Sequence, residues 1–149
     1  MTVFSGSYAP DDCIFLMKPV DLAPVDVATK ERLIQSGQRH YSEMLSAESP
    51  PGEDYLRLYR EALARNGTRL AQDIVDLAGG LAERAGGRPE IVIASLARAG
   101  TPIGVLLKRA LRRMDLTAHH YSLSIIRDRG IDLVALKHIA ARHDTADVV

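Results

Sequence analysis

A single cysteine, Cys13, stands in a chain of 149 residues, which excludes an internal disulfide framework, cannot by itself make a structural zinc site, and suits a reducing compartment. Neither sign of charge is in excess, since 19 basic side chains meet 19 acidic ones. Net charge of zero removes any whole-chain argument for a nucleic-acid partner or an anionic membrane. Long apolar runs are missing as well, and no basic, apolar, small-residue leader opens the sequence. With nothing of bilayer-spanning length, a cytoplasmic protein with no membrane partner is expected. What remains is an ordinary balance of 46% hydrophobic and 26% charged residues, enough for one domain with its own core.

The chain is organised around Ile91-Val92-Ile93-Ala94-Ser95-Leu96-Ala97-Arg98-Ala99-Gly100-Thr101-Pro102. Ile91 to Ile93 suit a strand buried on both faces, as in a parallel sheet covered by helices. Pro102 sits where a helix starts, and Ile103, Leu106, Leu107, Ala110, Leu111 and Met114 follow the spacing of a buried helical stripe. The loop between them lies at a strand's carboxyl end and a helix's amino end, where free N–H groups and the helix dipole favour an anion. Arg98 adds a bidentate fork. These features point to a phosphate or pyrophosphate, although no Walker-type lysine is present and Gly100 is the loop's only glycine. A plain structural turn has the same signature.

Upstream, the sequence reads as helical. Met1 to Tyr8 has no periodicity and reads as extended; Cys13 to Met17 is a short apolar run, helix or strand, in which Cys13 serves as a small buried hydrophobe. Asp11 and Asp12 beside it disfavour a thiolate. Val20 to Val27 reads as a loop. Leu33, Ile34, Gly37, Tyr41, Met44 and Leu45 share a helical face that also carries His40, a position more typical of a hydrogen-bonded histidine than of a base. After the break at Ser49-Pro50-Pro51-Gly52 come two apolar stripes, on either side of Asn66-Gly67: two helices, or one long helix with a flaw. Residues 1–87 are thus expected to form a helical region, and residues 88–149 the start of an α/β core.

Downstream, Thr117 to Ile126 alternates like a second strand, which sends His119 and His120 to opposite faces and argues against both ligating one metal. No metal-ligand set is assigned. Arg127-Asp128-Arg129-Gly130 forms a charged loop at that strand's carboxyl end, on the same sheet edge as the Arg98 loop if the strands are parallel. Asp132 to Ala141 fits a helix with Leu133, Leu136, Ile139 and Ala140 inward. Asp144 to Val149 reads as the beginning of a further strand, so the sequence is expected to be part of a longer one, with self-association at an open sheet edge or disorder in its last residues.

Five stretches carry a resemblance: Phe4-Ser5-Gly6-Ser7-Tyr8, Gln38 to Leu45, Ala62-Leu63-Ala64-Arg65-Asn66-Gly67, Ser95 to Leu106, and Ser124 to Asp132. Together they resemble a bacterial family of tellurite-resistance and stress operons that carries two descriptions, phosphoribosyltransferase-like and cysteine protease StiP. The resemblance implies a type I phosphoribosyltransferase-like α/β fold: a parallel sheet with a helical N-terminal half, truncated before the loop that would hold a ribose 5-phosphate. It implies Ser95, Ala97, Arg98, Ala99, Gly100 and Thr101 as the pyrophosphate-binding residues, and Arg127 and Arg129 as the catalytic side, stabilising the leaving group. Phosphoribosyl pyrophosphate, a small phosphorylated ligand, with Mg²⁺ would be its substrate and cofactor. Two other functions stay open: a thiol protease using Cys13, and a non-catalytic module that binds a nucleotide-like ligand or a partner protein. Homo-oligomerisation stays open too.

Overall fold

A computed structural model describes residues 4–149, so Met1 to Val3 of the leading segment lie outside the described residues. The chain divides into two compact units, one of residues up to Lys18 together with Asn66–Val149, the other Pro19–Arg65.

The first unit holds the sheet. Strand β1 is Ile14–Phe15, β2 is Ile91–Leu96 and β3 is Ala118–Leu123, in the order β1-β3-β2 with both pairings parallel. Parallel strands need a crossover, and helix α3, Gly100–Arg113, provides it between β2 and β3. Val149 extends the sheet beyond β2, its N–H donating to the Val92 carbonyl at 2.8 Å while its own carbonyl accepts from Ala94 N–H at 2.8 Å. The segment expected to begin a strand is therefore paired at Val148 and Val149, after a 3-10 turn at Thr145–Asp147. Arg88 fixes that turn, reaching the Ala146 carbonyl and lying 3.7 Å from Asp147 Oδ1.

Both faces of this sheet are covered. On one, Ile91, Ile93 and Ala118 pack with Leu107 and Leu111 of α3 and with Ile74 and Ala78 of the long helix α2, Glu53–Ala85. On the other, Val92, Tyr121 and Leu123 pack with Leu16 and with Ala135 and Ile139 of helix α4, Leu133–Ala140. This is the three-layer α/β arrangement that consecutive apolar strand residues demand, because a strand buried on both sides has no polar face to give to water. Asp132 caps α4, accepting from Val134 and Ala135 N–H at 2.8 and 3.2 Å. That start aims Ala135 and Ile139, four residues apart, at the sheet and leaves Leu133 68% exposed; the inward stripe expected at Leu133, Leu136 and Ala140 is thus corrected.

The strand expected from Thr117 to Ile126 stops at Leu123. There the Ser124 carbonyl accepts from Asp132 N–H at 3.1 Å, and the chain doubles back as an antiparallel hairpin of β4, Ile125–Ile126, and β5, Gly130–Ile131. Arg127 to Arg129 make its turn, with Asp128 at φ 66°, a left-handed conformation that aspartate tolerates better than most residues.

In the second unit, Asp26 caps helix α1, Val27–Gln35, and Gly37 at φ +68° ends its last turn. The long helical face expected through Leu45 is cut there, and no residue of α1 is buried. A 3-10 turn follows at Tyr41–Glu43. His40 caps it: its Nδ1 lies 2.8 Å from Ser42 Oγ, and Glu43 Oε2 accepts from its backbone N–H at 3.4 Å. Helix α2 runs without a break through Asn66-Gly67, one helix rather than two. No helix among the described residues is long and apolar enough to cross a membrane.

Candidate functional site

The loop after β2 divides its residues between the core and the surface. Ser95, the penultimate residue of β2, and Thr101, in the first turn of α3, are buried. Arg98 and Ala99 are exposed, and Ala97 and Gly100 are half-buried. The peptide between Ala97 and Arg98 is cis. No side chain caps α3, so its opening N–H groups look to the loop.

Ser95 belongs to a buried polar relay. Its Oγ lies 2.7 Å from His120 Nε2, and His120 Nδ1 lies 3.0 Å from the Asp12 carbonyl oxygen. A carbonyl can only accept, so Nδ1 carries the proton and, with the imidazole neutral, Nε2 accepts from the Ser95 hydroxyl. Burial holds the ring neutral by lowering its pKa, a shift only partly countered by the bond to Asp12. Beside the relay, Thr101 Oγ1 and Ser122 Oγ share a hydrogen bond of 2.7 Å. Every buried side-chain polar atom among the described residues has a partner.

Asp12 ties this region to α3. Its carboxylate accepts two bonds from the Arg109 guanidinium, 2.9 Å from Nε and 2.5 Å from Nη2. That fork, first of all, holds the Asp12 carboxyl below the usual carboxylate range. Cys13, the next residue, is fully buried, and desolvation pushes its thiol up to about 11, with the nearby Lys108 charge only a partial offset. A thiol held protonated in this way is not a nucleophile at neutral pH. Position in the chain would have given no warning that His120 sits against the carbonyl next to Cys13; the link arises from the pairing of β1 with β3.

Next to Ser95 opens a cleft of about 360 Å³ lined by Leu77, Leu81, Ile93, Ile103, Leu107 and the Gly100–Gly104 face of α3. Its walls are aliphatic, and its polar corner is Ser95 and the start of α3. The structure thus brings two of the expected loop residues, Ser95 and Thr101, into contact with β3. Arg127 and Arg129 stand exposed on the β4–β5 turn, which like the Arg98 loop follows the carboxyl end of a parallel strand.

A mixed α/β protein with a small parallel sheet, four helices among the described residues and a buried hydroxyl–imidazole relay beside an apolar cleft is the class that fold and site define. Within it, this chain belongs to the StiP family: residues 6–149 match the family described as tellurite-like stress resistance cysteine protease StiP. It is 46% identical over 146 residues to the cysteine protease StiP of Acinetobacter baylyi, covering 98% of this chain and 38% of that protein. The chain therefore spans well under half the length of this curated relative. No solved structure matches it.

These matches correct the functional expectation. Both the family and the relative are described as cysteine proteases, and neither description supports a phosphoribosyltransferase that binds phosphoribosyl pyrophosphate. An anion-friendly loop between strand and helix is common to many α/β proteins, so it could not carry that assignment.

Proposed function

We propose that this chain acts in peptide-bond hydrolysis, as the substrate-seating part of a StiP-type cysteine protease. The observation that carries this reading is the cleft beside Ser95, where an aliphatic wall meets one hydroxyl and the uncapped start of a helix. An apolar peptide side chain would lodge against Leu77, Leu81, Ile103 and Leu107. The adjoining peptide carbonyl would then turn toward the N–H of Gly100, a donor of the kind that stabilises the oxyanion of acyl transfer. Among the loop residues, Ala97, Arg98 and Ala99 would border the peptide backbone on the solvent side.

Cys13 is the chain's sole thiol, and its burial and raised pKa support a packing role rather than attack on the substrate. The chain covers 38% of its relative, so the reading does not require the attacking sulfur to lie within these residues. The test is binding of fluorescently labelled peptides bearing an apolar residue, read by anisotropy. Ile103→Arg, which plants a charge in the cleft, is expected to weaken binding tenfold or more. Unchanged affinity would remove the cleft from substrate binding. Cleavage of such peptides by this chain that is abolished in a folded Cys13→Ala variant would instead make Cys13 the nucleophile.

A further inference from the structure

At the other end of the sheet, away from the β2–α3 loop, three donors from distant parts of the chain converge. Glu90 immediately precedes β2, His119 is the second residue of β3, and His143 follows α4. Their ligand atoms all lie within 4.8 Å of one another. His119 Nε2 stands 3.0 Å from Glu90 Oε2, and His143 Nδ1 stands 2.7 Å from Glu90 Oε1. One carboxylate thus faces two imidazole nitrogens at once. A further partner lies behind the group, where Tyr121 Oη is 2.8 Å from His143 Nε2.

We propose that Glu90, His119 and His143 bind a zinc-class divalent cation that clamps the segment after α4 to the amino ends of β2 and β3. Two neutral imidazoles and a carboxylate are a donor set that zinc accepts in tetrahedral geometry, with water in the fourth position. Calcium and magnesium prefer all-oxygen shells and are a poor match. Ligand atoms around a tetrahedral zinc sit about 3.3 Å apart, from metal–ligand bonds of about 2.0 Å. The two imidazole–carboxylate spacings, 3.0 and 2.7 Å, fall a little short of that value and all three ligand atoms lie within 4.8 Å, so binding needs side-chain adjustment and no rebuilding of the backbone.

The supporting groups suit an ion as well. With metal on Nδ1, the His143 proton sits on Nε2 and donates to Tyr121 Oη, the kind of outer partner that fixes a ligating imidazole's orientation. His119 coordinates through Nε2 and keeps its proton on Nδ1. Binding moves protons between the nitrogens of each ring without changing any oxidation state. The His143 side chain is 7% exposed and that of His119 40% exposed, so the ion reaches the site from the His119 side. The location fits a clamp rather than a reaction centre, because ligand and catalytic sites of parallel sheets gather at the opposite, carboxyl ends of the strands. The proposal is independent of the protease reading.

The test uses the 149-residue chain stripped with a chelator and titrated with Zn²⁺, with Mg²⁺ as a separate arm. Wild type is expected to bind one Zn²⁺ per chain by calorimetry and elemental analysis, to gain thermal stability, and to ignore Mg²⁺. Co²⁺ in its place should give the intense visible absorption of a four-coordinate site. His119→Ala and His143→Ala should each weaken Zn²⁺ binding at least tenfold, and Tyr121→Phe about tenfold through the outer partner. If His143→Ala does not fold, the half-exposed His119→Ala still decides. Failure of the folded wild type to bind Zn²⁺, or binding undiminished in His119→Ala, would overturn the proposal.

Discussion

Gly104 lies directly against the ring of His120: a Cβ at position 104 would stand 2.2 Å from His120 Nε2. Helix α3 approaches β3 this closely only because residue 104 has no side chain, and the approach places the imidazole between Ser95 and the Asp12 carbonyl. Gly104→Ala should therefore push the ring from its place and destabilise the fold by roughly 1–3 kcal/mol, the usual cost of overpacking. Urea denaturation measures the loss, and an unchanged midpoint would show that the ring has room to yield. His120→Ala in the same background should recover part of it, because the added methyl then meets space.

Cys13 should be inert to alkylation at neutral pH. With its thiol pushed up to about 11, labelling by iodoacetamide should rise about tenfold per pH unit above neutrality and stay far slower than for an exposed cysteine. The folded-state value lies above the thiol's ordinary value of 9.0, so the associated stability is fully present below pH 9 and is lost as pH rises toward 11. Cys13→Ala should cost on the order of 1 kcal/mol, as for loss of one small buried group. Rapid labelling at pH 7 would contradict the burial argument.

The Asp12–Arg109 pair should shape the acid limb of stability. Asp12's carboxyl is held below its ordinary value of 3.8 by Arg109, so the contribution is present above that value and disappears as pH falls through the lower folded-state value. Arg109→Gln should flatten that limb in acid unfolding followed by circular dichroism. Superimposable curves for variant and wild type would mean the pair contributes nothing to acid stability.

Helix α4 has only eight residues, too few to persist without its cap and its packing. Asp132→Ala removes the acceptor for Val134 and Ala135 N–H and should cost about 1 kcal/mol. Asp132→Asn should retain most of it. Thermal melts of the two variants check this, with equal losses arguing against a capping role.

Short-range chemistry was legible along the chain. Ile91 to Ile93 specify a strand buried on both faces, and Pro102 and the stripe after it a helix; the family resemblance to StiP was likewise legible in contiguous stretches. Where neighbours along the chain do not decide, the tertiary structure did. Apolar periodicity could not say that Gly37 would end α1, nor that α2 would pass through Asn66-Gly67, since a long helix tolerates a glycine at a cost of about 1 kcal/mol that other contacts can outweigh. Alternation along β3 separated His119 from His120, yet only parallel pairing put His120 on Ser95 and the Asp12 carbonyl. Glu90 and His143, 53 positions apart, share a hydrogen bond because the chain after α4 returns to the sheet beside β2, and no spacing in the sequence encodes a contact that depends on where a strand is docked.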